Sequence, residues 1–165
     1  MDTIKVAVSA AVSDTIYRSC LFLDEGDWGG FLDLCDTSMT YSIKAYSVEI
    51  RKDMMYLSHN KTELKSLTDM LPKLNSDHSP LRRHASVYSV DVNKDGKSAT
   101  SVTSLAVYVN LHDGINSHVD SGETRLFLVG KYLDKFKITD DTAYFVERVV
   151  RLDTRRLDKG THLLI

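Results

Sequence analysis

A chain of 165 residues with 42% hydrophobic and 27% charged side chains is most simply one globular domain, large enough to bury a sizeable core. Its formal net charge of -2 gives no reason to expect nucleic acid or an anionic membrane as partner, and the basic pairs Arg82-Arg83 and Arg155-Arg156 are short. No apolar run approaches the roughly 18 residues that cross a bilayer, and the N-terminus lacks the order of a secretory signal. Cys20 and Cys35 sit in apolar contexts, which suits two buried thiols in a reducing cytoplasm better than a disulfide.

The first element is a helix from about Asp2 to Glu25, with Asp2 or Thr3 as cap and no Gly or Pro inside it. Ile4, Ala7, Ala11, Ile16, Cys20 and Leu23 recur near a helical turn and predict its buried stripe. Gly26 supplies a stop, and Asp27 can cap a second, short helix that turns Trp28, Phe31, Leu32 and Cys35 inward. Strands follow at Met39 to Tyr46 and Met54 to Ser58. Asn60-Lys61-Thr62-Glu63 reads as a capping box that opens a third helix, ending near Leu71 before Pro72. A polar linker, Asn75 to Pro80, leads into Leu81 to Asn93. That segment pairs with Ser98 to His112 through a turn at Asp95-Gly96, where both turn positions are expected at positive φ. A loop from Asp113 to Gly122 precedes a final hairpin, Thr124 to Lys137 and Thr142 to Asp153, around Thr139-Asp140-Asp141.

Helices first and strands after predict an α+β domain, with N-terminal helices packed on the concave side of a curved, mostly antiparallel sheet. The strands are apolar on both alternating faces. Leu105, Val107, Val109 and Leu111 lie on one side of their strand, with Val102, Ala106 and Tyr108 on the other. In the last strand, Tyr144, Val146, Val150 and Leu152 are expected on one side, and Phe145 and Val149 on the other. A sheet wetted on one face should read apolar-in and polar-out, so the second face calls for a partner subunit or an enclosed cavity.

Few residues here point to chemistry. His112 and His118, with Asp113 and Asp120, could form a two-histidine, one-carboxylate site, but no regular element pre-aims them and an ordinary solvated loop explains them better. His59 and His78 read as surface residues. His84 opens an apolar strand and is expected on the face of Tyr88 and Val90. With an acid it could form a general acid–base pair at a pocket mouth, completed by Tyr17, Tyr41, Tyr56 and Glu147. The alternative is a hydrogen-bonded core histidine. There is no Gly-rich phosphate loop, GxSxG, CxxC or HExxH, and the two cysteines fit no Cys2His2 iron–sulfur pattern. No catalytic residue, cofactor site or metal site is therefore assigned, with His84, Tyr41 and Glu147 as the set a free-standing cone-shaped lyase or isomerase would use.

Asp24-Glu25-Gly26-Asp27-Trp28 with Phe31-Leu32, Tyr41, Arg82-Arg83-His84, Phe127-Leu128-Val129-Gly130-Lys131 and Phe145-Val146-Glu147-Arg148-Val149-Val150-Arg151-Leu152-Asp153 form an ordered series over roughly Tyr17 to Asp153. The series resembles the small (β) subunits of Rieske-type ring-hydroxylating oxygenases, and within them the methanesulfonate monooxygenase branch. The resemblance implies a cystatin-like cone, also seen in nuclear transport factor 2. It also implies a structural role beside a large (α) subunit, typically as an α3β3 hetero-hexamer, with a homotrimer possible for the small subunit alone. The Rieske [2Fe–2S] cluster and the mononuclear iron would belong to the large subunit, and none to this chain. After Tyr41 many relatives carry a proline and arginines, whereas this chain reads Ser42-Ile43-Lys44-Ala45-Tyr46-Ser47, which points away from the aromatic-substrate branch.

Overall fold

Helix α1, Thr3–Glu25, buries Val8, Val12, Thr15, Ile16, Ser19, Cys20 and Leu23 in a computed structural model that describes residues 3–74, 78–112, 119–157 and 164–165. The stripe differs from expectation in its first turns, where Ile4 and Ala7 are exposed and Val8 and Val12 face the sheet. Those turns are apolar almost all round, so spacing alone could not choose the buried side. Contrary to the expectation from apolar runs, α1 is long and apolar enough by length and composition to cross a membrane; here its buried side packs on the sheet. Gly26, at φ 70°, ends the helix. The Asp27 carboxylate then accepts from the Gly30 amide at 2.9 Å and caps α2, Trp28–Asp33.

Cys35 was expected on that helix but opens β1, Cys35–Ser47, with its thiol donating to the Phe31 carbonyl. After β2, Lys52–Asn60, the capping box forms in both directions. Asn60 Oδ1 accepts from the Glu63 amide at 2.9 Å, and Glu63 Oε2 accepts from the Asn60 amide at 2.8 Å. Helix α3, Lys61–Leu74, runs past Leu71 and includes Pro72 in its last turn; the ring removes the amide that would bond the Thr68 carbonyl, and the helix ends two residues later.

Four long strands complete the sheet: β3, Leu81–Val92; β4, Ser98–Asn110; β5, Thr124–Thr139; and β6, Thr142–Leu152. The order is β2-β1-β6-β5-β4-β3, antiparallel throughout except for the parallel β1–β6 pair. The β5–β6 turn places Asp140 and Asp141 at positive φ. In the β3–β4 turn only Gly96 is left-handed, because that loop is longer than two residues.

Bulges re-aim several side chains. On β6, Phe145 pairs with Phe136 and Glu147 with Lys135, which leaves Val146 as the extra residue. Phe145, Arg148, Val150 and Leu152 therefore share the buried side, while Tyr144, Val149 and Arg151 lie opposite. This corrects the faces expected from simple alternation. A second bulge, at Tyr88 on β3, turns Val90 inward and leaves His84 and Tyr88 outside.

All three helices and Leu164-Ile165 share the core with the inward residues of the sheet. Gly130 on β5 shows how close the inner packing is. A Cβ there would lie 2.4 Å from the Arg151 carbonyl oxygen and 3.1 Å from Leu152 Cα, and backbone atoms cannot yield. Gly130→Ala should destabilise the fold by about 2–3 kcal/mol, read as a lowered denaturation midpoint with unchanged slope.

Candidate functional site

Sheet curvature and the bulges bring polar side chains into the cone beside the apolar ones. Arg148 on β6 is fully buried and bonds Asp134 on β5 through two parallel contacts, Nε to Oδ1 and Nη2 to Oδ2, both at 2.9 Å. Its third donor, Nη1, reaches Ser19 Oγ on α1 at 3.1 Å. The guanidinium lies 3.8 Å from the Tyr132 ring centroid and 4.3 Å from that of Phe145. Burial alone would lower the Arg148 pKa, but the Asp134 carboxylate reverses the sign and raises it. One buried cation thus ties helix, two strands and two aromatic rings together.

A second pair closes the cone mouth. Arg83 on β3 bonds Asp24 at the end of α1 at 2.7 Å, and its Nη2 donates to the Leu164 carbonyl at 2.7 Å. Tyr41, on the inner face of β1, donates to the Ile165 carbonyl at 2.8 Å and accepts from the Ile165 amide at 2.9 Å. Burial pushes the Tyr41 hydroxyl up to about 12 and also raises Tyr132.

The sequence-predicted acid–base set does not assemble. His84 is exposed on the convex face, edge-on to the Tyr108 ring at 5.1 Å. Glu147 is also on the outer side of the sheet, paired with Lys135 at 2.9 Å, while Tyr41 is in the core. Tyr17 is exposed and accepts from the Val87 amide, and Tyr56 donates to the Arg155 carbonyl. His59 is half-buried near Glu63, and His78 is exposed. His112 is exposed, and Asp120 pairs with Arg125 at 3.2 Å. Asp113 and His118 lie outside the described residues, as does His162. Among the described residues no group of three or more His, Cys, Asp or Glu is placed to hold a metal. Cys20 and Cys35 are both free and buried, and burial pushes the Cys35 thiol up to about 12.

No element of the described chain covers the convex face, and register shows how it is laid out. Ser42, Val149, Leu133 and Val102 form one row across β1, β6, β5 and β4, apolar over its last three positions. Lys44, Arg151 and Lys131 form the next row. Arg151 is paired with Asp53 at 3.1 Å. Beyond it, Tyr46, Val48, Ile50, Met55 and Tyr56 stand exposed around the β1–β2 hairpin. The result is an apolar row with a basic row along one side and the Glu147–Lys135 pair along the other. The buried Arg148–Asp134 pair and this layout were missed by sequence reasoning; only the register identifies them.

The SnoaL-like domain model matches residues 5–149. The chain is 49% identical over 152 residues to the methanesulfonate monooxygenase hydroxylase subunit beta of Methylosulfonomonas methylovora, covering 92% of this chain and 84% of that protein. The chain belongs to the SnoaL-like family of oxygenase β subunits. It is also 27% identical, over the full length of both, to the 2-aminobenzenesulfonate 2,3-dioxygenase subunit beta of an Alcaligenes species. Among solved structures, the β subunit of an aromatic-ring-hydroxylating dioxygenase from Novosphingobium aromaticivorans superposes with a TM-score of 0.76 at 22% identity, over 94% of each chain. That likeness confirms the helix-lined cone of this SnoaL-like chain.

Two predictions test the buried chemistry. Asp134→Ala leaves Arg148 uncompensated inside the cone and should cost about 3–5 kcal/mol in chemical denaturation. For the raised Tyr41 hydroxyl, the folded state favours the neutral form. Its contribution is full below the unfolded value of about 10 and is lost as pH rises through about 12. Melting temperature should therefore fall across that window, and Tyr41→Phe should flatten part of the fall.

Proposed function

We propose that this chain is the structural β subunit of the hydroxylase component of a Rieske non-haem iron oxygenase, acting on methanesulfonate. The observation that carries this reading is the 49% identity over 92% of the chain to a hydroxylase β subunit of that activity. In this reading a large α subunit holds the Rieske [2Fe–2S] cluster and the mononuclear iron. Three copies of each subunit assemble in the cytoplasm, and the small subunit alone can trimerise. The residues of this chain support a scaffold role: its inward polar groups are mostly paired with one another, and His84, Tyr41 and Glu147 do not converge.

The convex face is the surface the partner would cover. An obligate interface buries more than about 2,000 Å² in total and is apolar at its centre. Val102, Leu133 and Val149 supply such a centre, and Lys44 and Lys131 call for acidic groups on the facing surface. Co-expression with the large subunit tests this. The unmodified chain should co-purify with an iron-bearing subunit, the iron staying with that subunit after separation. Leu133→Asp should abolish co-purification while leaving the circular dichroism of the isolated chain unchanged. Iron retained by the small subunit, or undiminished co-purification of Leu133→Asp, would contradict the reading.

A further inference from the structure

The cone interior holds the last two residues of the sequence as though they were a ligand. Leu164 and Ile165 are 0% and 2% exposed, packed in the core cluster rather than lying on it. Their backbone is read by side chains instead of by a neighbouring strand. The Tyr41 hydroxyl serves both polar groups of Ile165, and Arg83 Nη2, steadied by Asp24, serves the Leu164 carbonyl. The same interior holds more hydrogen-bonding capacity than these residues use. Arg83 Nε and the Tyr132 hydroxyl are buried without a partner, and the two side chains are near enough to influence one another electrostatically. Beside Leu164 a cavity of about 410 Å³ opens at the α1–α2 corner, walled by Trp28, Leu71, Leu81 and Arg83.

We propose that the cone interior is a preformed pocket for a short branched-aliphatic peptide or acyl-amino acid, and that Leu164 and Ile165 occupy it in cis. Recognition is by donors to acceptor oxygens at one end and an apolar wall along the side chains. The inference does not depend on the oxygenase reading, because it concerns the face of the sheet opposite the partner surface. It explains how a fold built around a hollow can serve as a closed scaffold: the chain fills the hollow itself.

The test uses full-length protein carrying Leu164→Asp and Ile165→Asp, which places two carboxylates where the apolar wall expects none. Its melting temperature should fall on the order of 10 °C. N-acetyl-Leu-Ile added at millimolar concentration should restore the loss saturably, whereas N-acetyl-Lys-Glu should not. Adding Tyr41→Phe should weaken the rescuing peptide by about tenfold, the loss of a buried hydrogen bond. An unchanged melting temperature, or a loss that the peptide does not restore, overturns the proposal. Should the double variant fail to fold, amide exchange in the unmodified chain decides. The Ile165 amide should exchange more than about a thousandfold slower than in an unstructured peptide, and Tyr41→Phe should speed it. Exchange at the unstructured rate overturns the proposal.

Discussion

The Arg148–Asp134 pair is the constraint around which the inner face is arranged. A bare guanidinium in an apolar interior would cost several kcal/mol, so each of its nitrogens needs a partner. Asp134 takes two of its contacts and Ser19 a third, while Tyr132 and Phe145 cover its faces. Those partners lie on α1, β5 and β6, so the pair fixes the seating of the long helix on the middle of the sheet. The Asp24–Arg83 bond does the same at the mouth of the cone. Between them the two pairs set the rotation of a helix whose first turns, being apolar almost all round, specify little.

The concave side is consequently filled for most of its extent, with a cavity left at the α1–α2 corner. Helices, paired charges and Leu164-Ile165 fill it, and the polar side chains the sequence offers for catalysis are either consumed there or stranded outside. The convex side is different in kind, with an apolar row running across three strands beside a row of cations and no element of the described chain above it. One sheet thus carries a packed core on one face and an uncovered apolar row on the other. That division of labour is what a scaffold subunit requires.

Much of this was legible from residue order. The helix stop at Gly26, the Asp27 cap and the Asn60–Glu63 box rest on local backbone chemistry and were readable because each needs only neighbours. The α+β order and the ordered motifs identified the cone. Register was not legible. A bulge inserts one residue without any compositional mark, and Val146 and Tyr88 therefore reversed the expected faces of Tyr144 and Phe145 and of Val90. The partners in long-range pairs were equally hidden: nothing in the run around Arg148 names Asp134 until β5 is laid beside it. The burial of Leu164-Ile165 was hidden for the same reason, because it depends on Tyr41 and Arg83, more than 80 positions away in sequence.

Lysine reactivity in the free chain and in the assembled hydroxylase most directly tests whether the convex face is the partner surface. Acetylation should modify Lys44 and Lys131 readily in the isolated chain and scarcely at all in the complex, while Lys5 and Lys94, away from that face, react equally in both. Equal reactivity of Lys44 and Lys131 in the two states would contradict the account.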